Sequence, residues 1–368
     1  MRLRRISLAL ALTVLSYSSG ISAFQILGPL TFSKTNNNNN NNNQEMDLKQ
    51  TLGIPSGLMN TLIENNKAFS KRIWIVDNSG SMALGDGHLV LSQKNSDATR
   101  WSELEETVLL HSQLAAALHQ PTEFRMLNAI KGVPQRFMVG LDTMKNSLKQ
   151  AQTILQKTTP KGTTPLSESV DKISLEIQEM LPQLKETNSK VAIVIVTDGC
   201  NYNLQNLGQT EQEINKDLAN SLGKLQGLPV SVVVRLCTDH GPLVDFYNDL
   251  DEAMDGFDVL DDYLSEATTV GRKNPWLTYS LILHRMREMG QYSQLFDWLD
   301  ERTLTRQELK EFCTLLFGNA DVMPDPDEDW KGFLASIQRL QQEEKLHWNP
   351  RTRQMAPWID LDLLAMLE

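Results

Sequence analysis

The 368 residues suffice for one large domain with an appendage or for two domains, and a hydrophobic share of 40% fits a buried core. The formal net charge of −11, with no Lys/Arg-rich run interleaved with aromatics, argues against nonspecific nucleic-acid binding. Three widely spaced cysteines, Cys200, Cys237 and Cys313, form neither a disulfide framework nor a C-x-x-C knuckle and read as small buried thiols.

Residues 1–23 read as a signal peptide. Arg2, Arg4 and Arg5 form a basic start, Ile6 to Leu15 an apolar stretch too short to span a bilayer, and Ser-Gly-Ile-Ser-Ala a cleavage site ending at Ala23. The following Phe24 and an acid-poor run to Gln44 resemble the bipartite plastid presequences of algae with secondary plastids. The expected destination is therefore the secretory pathway, ending in secretion or in such a plastid. Asn36 to Asn43 is an uninterrupted asparagine tract, which cannot bury a core and reads as a disordered linker. The segment 24–68 is expected to be this linker followed by one or two short helices, broken by Gly53, Pro55 and Gly57.

Lys71 to Met82, KRIWIVDNSGSM, carries the first strand. Ile73 to Val76 form an apolar run of the length of a strand covered on both faces. It stops at Asp77-Asn78-Ser79-Gly80-Ser81, which sets a carboxylate and two hydroxyls at alternate positions past the strand end. Ala83 to Arg100 is an insertion that reads as an exposed turn, with Asp86 and His88 as ligand-touching alternatives. Apolar spacing predicts a helix over 101–119 and another over 141–157, flanking two short strands at 123–129 and 135–139 around the Lys131-Gly132 turn. His111 and His119 share a helix face but lack a third ligand, so they read as packing or surface residues.

Thr159 to Leu166 is a glycine turn with adjacent hydroxyls, leading into an amphipathic helix to Leu184. Val191 to Val196 repeats the buried-strand design and stops at Thr197-Asp198-Gly199. A helix over 211–225 and a strand over 230–236 follow. From Asp239 to Glu266 there are ten acidic residues and no Lys or Arg. Calcium-loop registers fail here and at Asp325, where Trp330 stands in the glycine position, so both regions read as solvated acidic surface or a patch for a cationic partner. Phe257 to Leu260 reads as an edge strand and Pro275 to Met289 as a helix. Three more helices are expected at 292–299, 305–316 and 329–344, with a tryptophan-rich tail docking on the main body.

Strands alternating with helices predict an α/β fold: a doubly wound, mostly parallel sheet with helices on both faces, followed by an α-helical C-terminal extension over 291–368. In such sheets the loops at the carboxyl ends of the strands share one edge. Asp77, Ser79, Ser81, Thr164 and Asp198 are therefore expected to converge. A set of hydroxyl and carboxylate oxygens without His or Cys selects a hard cation, Mg2+ or else Mn2+ or Ca2+.

The elements DNSGS, KGTTPL and VTDG, in this order and at these points, resemble the metal-ion-dependent adhesion site of von Willebrand factor A (vWA) domains. The resemblance covers about Arg72 to Gly290, close to an expected domain over 69–290. It implies that Ser79 and Ser81 bind the cation directly, that Asp77 and Asp198 lie close through water, and that Thr164 joins when ligand is present. It also implies a non-catalytic module that binds a partner protein's Asp or Glu carboxylate through the cation. Two readings compete: a scaffold carried by the C-terminal helices with a structural metal site, and a metal-dependent hydrolase. A dehalogenase-type phosphatase would want a second Asp where Ser79 stands, and neither G-x-S-x-G nor D-S-G occurs at this strand end.

Overall fold

The computed structural model describes residues 52–89, 98–141, 144–199, 201–202, 208–238, 240–290 and 293–367. The expected signal peptide, the transit-like stretch, the asparagine tract and Cys200 lie outside the described residues.

In chain order the elements are α1 (Ser56–Ala68), β1 (Phe69–Val76), α2 (Arg100–Ala117), β2 (Thr122–Met126), β3 (Arg136–Val139), α3 (Met144–Lys157) and α4 (Leu166–Glu186). Then come β4 (Lys190–Thr197), α5 (Glu211–Gly223), β5 (Val230–Leu236), α6 (Gly241–Ala253), β6 (Phe257–Leu260), α7 (Tyr263–Lys273) and α8 (Leu281–Glu288). The chain continues through α9 (Gln294–Glu301), α10 (Arg306–Phe317), α11 (Trp330–Gln341), the hairpin of β7 (His347–Asn349) and β8 (Gln354–Ala356), and α12 (Leu361–Ala365).

The fold is mixed α/β, built on a six-stranded sheet in the order β3-β2-β1-β4-β5-β6. Every neighbouring pair is parallel except β2–β3, which is antiparallel. The chain works outward from β1 to β3, then returns to lay β4 along the other side of β1. Loops leaving β1 and β4 therefore diverge from adjacent strands, the place where such sheets open a crevice.

The central strands read as continuous branched runs because both their faces are covered. Ile73, Ile75, Ile193, Ile195, Val232 and Val234 pack against α4, α5 and α6. Their neighbours Trp74, Val76, Val194 and Val196 pack with Phe124 against α2 and α3 on the opposite face. The alternation is the two-residue period of a strand.

A third apolar cluster joins α1 and α2 to α7–α11 and the tail. Leu58 and Leu62 meet Phe312 and Leu316 there, so the helices after residue 291 share a core with the helix that precedes β1. Trp358 is fully buried in it, as expected for a docked tail, whereas Trp348 sits on the exposed side of the hairpin. No helix among the described residues is long and apolar enough to cross a membrane.

The expected helix over 275–289 is shorter, starting at Leu281. Ser280 caps it by accepting from Leu283 N, and the preceding residues are drawn into extended contacts with the tail: Leu277 bridges Ile359, and Thr278 N donates to Trp358 O at 2.9 Å. The acidic stretch 239–266 holds two helices, α6 and α7, besides the expected edge strand β6.

Helix α8 is buried almost throughout and is polar on the side that meets the sheet. Glu288 accepts from His111 Nε2 at 2.7 Å and from Arg285 Nη1 at 2.5 Å, and lies 3.6 Å from Arg235 Nε. Arg235, on β5, also donates to Glu103 of α2. Burial alone would raise the Glu288 carboxyl, but the Arg285 charge and the hydrogen bonds from His111 and His284 hold it well below its usual range. Burial pushes both His111 and His284 down, and the Glu288 carboxylate pulls them back up.

Candidate metal centre

Asp77 is the first residue past β1 and is fully buried. Its Oδ1 accepts from Ser79 N at 2.8 Å, and its Oδ2 accepts from the Thr197 hydroxyl at 2.6 Å. Burial raises its pKa to about 6; Thr197 and Ser79 pull it down, and the nearby Asp198 charge pushes it up. Asp77 thus faces inward and fixes the loop.

Ser79 and Ser81 flank Gly80 at the start of a short 3-10 turn, Gly80–Ala83. Their hydroxyls lie 3.0 Å apart. Ser81 Oγ donates to Asp198 Oδ1 at 2.8 Å, so the proton between the serines comes from Ser79. The result is a chain of oxygens, Ser79 to Ser81 to Asp198, running from the end of β1 to the end of β4.

Thr164 arrives on the loop before α4. That loop is joined to the β1 loop by two backbone hydrogen bonds, Gly80 N to Gly162 O at 3.2 Å and Lys161 N to Asn78 O at 2.8 Å. Gly162 has φ +95, and a Cβ there would stand 2.4 Å from Asn128 Oδ1, so only glycine fits the crossing. Asn128 ties three loops together. It exchanges hydrogen bonds with Asn78 and donates to Thr163 O at 2.7 Å. Thr164 N donates to Tyr202 O at 2.6 Å, and the Thr164 hydroxyl stands 3.8 Å from where a Gly199 Cβ would be. All five expected residues therefore gather at one edge of the sheet: Ser79, Ser81 and Asp198 in direct contact, Asp77 behind them and Thr164 beside the Asp198-Gly199 turn.

The sequence pattern assigns no role to three partners. Thr197 is the residue before the T-D-G aspartate, and its hydroxyl serves Asp77. Asn128, at the end of β2, carries no chemical signature in the sequence. Arg100, in the first turn of α2, donates Nη1 to Asp198 Oδ2 at 2.7 Å and grips Asp86 with Nε and Nη2 at 2.7 and 2.6 Å. The Asp86 loop is therefore more than an exposed turn, because it anchors an arginine that reaches the site.

Among the described residues no group of three or more His, Cys, Asp or Glu side chains is placed to hold a metal. The donors here are hydroxyls with two carboxylates, which is hard-cation chemistry. Their spacing also fits. Neighbouring ligands of an octahedral ion with bonds of roughly 2.1 Å stand about 3 Å apart, and the two serine hydroxyls stand 3.0 Å apart.

The acidic stretch forms a separate feature. Asp251, Asp258, Asp297 and Asp300 line a cavity of about 610 Å3 with the buried Arg287 at its wall. Burial, with the crowding of like charges, raises Asp258 to about 7 and Asp251 and Asp297 to about 6.

A scan against protein-family models and a search of curated proteins return no match. Among solved structures, the PilB minor pilin from Streptococcus sanguinis overlaps at TM-score 0.36 and 14% identity, covering 53% of this chain and 57% of that one. A point mutant of the same pilin overlaps at TM-score 0.36 and 12% identity, covering 52% and 56%. The chain thus spans little more than half the length of these pilins, and overlaps this loose carry no argument about its activity.

Proposed function

We propose that the chain is a non-catalytic binding module of the vWA kind, with Mg2+, or Mn2+ or Ca2+, held by Asp77, Ser79, Ser81, Thr164 and Asp198. In this reading the sheet is the doubly wound vWA arrangement. Its strand order, the antiparallel β3 and the helices packed on both faces support that assignment. The partner is a protein that presents an Asp or Glu carboxylate, and the proposed route to it is the secretory pathway.

The observation that carries the reading is the unbroken Ser79–Ser81–Asp198 oxygen chain across the ends of β1 and β4. Ser79 and Ser81 would hold the cation directly. Asp77, with both oxygens already engaged, orders the loop and supplies negative charge from behind. When bound, the cation supplies positive charge that hydroxyl ligands leave unneutralised and that a partner carboxylate can meet. Tyr202, 47% exposed beside Thr164, and Leu84, 52% exposed beside Ser81, give that carboxylate an apolar rim.

Isothermal titration with Mg2+ tests the reading. Wild type should bind one equivalent, Ser79→Ala and Asp77→Ala should lose it, and Thr314→Ala, far from the site, should retain it. Equal binding by all four proteins would place any cation elsewhere and refute the assignment.

A further inference from the structure

We propose that Arg100 sets the cation affinity of this site, holding one oxygen of Asp198 and releasing it to Asp86 when a divalent cation binds. The proposal rests on the cation-binding reading above. It adds a residue that the D-x-S-x-S and T-D-G elements do not contain.

Two carboxylates compete for one guanidinium. Asp198 receives a single hydrogen bond, from Nη1 at 2.7 Å. Asp86 receives two, from Nε and Nη2, in the planar fork that suits a carboxylate best. The Asp198 side chain is fully buried and that of Arg100 is 11% exposed, whereas that of Asp86 is 58% exposed. The Arg100–Asp198 contact therefore lies where solvent screens least, and its charge is felt by anything held against Ser81 and Asp198.

The backbone fixes Asp86 beside Arg100. Arg100 N donates to Leu84 O and Gly87 N to Ala98 O, so both ends of the intervening loop are pinned beside the site. A Cβ on Gly87 would stand 2.3 Å from Thr99 O, which keeps the two strands of that loop in contact. Arg100 also borders a cavity of about 500 Å3, whose lining includes Asp86, His88, Glu103, Thr238, His240 and Asp262. In this proposal the guanidinium turns toward that cavity, where the Asp86 fork keeps it neutralised.

The two carboxylates give opposite predictions. Removing the arginine charge should tighten cation binding, because a like charge several ångströms away is lost. Removing the Asp86 charge should weaken it, because the two-bond partner that draws Arg100 away from Asp198 is lost. Mn2+ titration followed by electron paramagnetic resonance reads both on the full chain. Arg100→Gln should bind about tenfold more tightly than wild type, and Asp86→Asn should bind several-fold more weakly. Arg100→Lys keeps a charge but cannot bridge both carboxylates in a fork, and should fall between wild type and Arg100→Gln.

Thermal unfolding of each variant checks that it is folded. Asp86 is exposed, so if Arg100→Gln does not fold, the Asp86→Asn result decides alone. Wild-type affinity in Asp86→Asn, or a shift of both variants in the same direction, would overturn the role of Arg100 while leaving the cation site standing. Absence of Mn2+ binding by wild type would overturn the site and this proposal together.

Discussion

Thr197 donates its hydroxyl to Asp77 Oδ2 at 2.6 Å, joining the last residue of β4 to the first residue past β1. The bond is buried and one of few forces that keep the Asp77 carboxylate charged in a site where burial alone would neutralise it. Thr197→Val keeps the shape and removes the donor. It should raise the Asp77 pKa above about 6 and cost about 1–3 kcal/mol of stability. Carbon-detected NMR titration of the aspartate carboxyls and urea unfolding read the two effects.

The serine hydroxyls carry a different balance. Ser81 is partly exposed and Ser79 is buried, but each makes only neutral or single charge-assisted hydrogen bonds. Ser81→Ala and Ser79→Ala should each cost only about 1 kcal/mol in urea unfolding. Under the proposed cation-binding reading each should nonetheless lower Mg2+ affinity by more than tenfold in calorimetry, because that reading makes each a direct ligand. A stability loss that matched the affinity loss would show the hydroxyls to be structural.

The acidic cleft makes stability depend on pH in a defined direction. Burial raises Asp258 from 3.8 to about 7, so the folded chain holds that proton more tightly than the unfolded chain. Between about pH 4 and 7 stability therefore falls as pH rises, and the Asp251 and Asp297 shifts act the same way up to about 6. Asp258→Asn should raise stability at pH 8 by on the order of 1 kcal/mol, solvent screening of this partly exposed group keeping the gain modest. It should also flatten the profile. Thermal unfolding of wild type and variant at pH 5 and pH 8 reads both, and a variant whose gain over wild type is larger at pH 5 than at pH 8 would contradict the sign.

Glu288 is the hub that holds α8 to the sheet. Glu288→Ala leaves Arg285 without its carboxylate, His111 without its acceptor and Arg235 with Glu103 and the Cys237 sulfur, all buried. The expected loss is about 3–5 kcal/mol in urea unfolding. Replacement without loss would mean that water reaches these groups.

How far the residues alone disclose this depends on whether their partners are local. β1 and β4 are legible because Ile73 to Val76 and Val191 to Val196 are buried on both faces, which leaves an unbroken apolar run. Helix α6 is not, because Gly241–Ala253 buries only Leu243 and Tyr247 and sets its acids outward. The start of α8 is fixed by tail residues some 80 positions later, a pairing no local pattern records. The five oxygen-bearing residues stand out since loops after parallel strands share one edge. Arg100 does not, because its role lies in a contact with Asp198, 98 positions away.

The most direct test of the cation site is an anomalous difference map from crystals soaked in Mn2+. A peak at roughly 2.1–2.2 Å from Ser79 Oγ and Ser81 Oγ, with Asp77 and Asp198 around it, is the predicted result. A map that is flat there at saturating Mn2+, with the Ser81–Asp198 hydrogen bond intact, would contradict it.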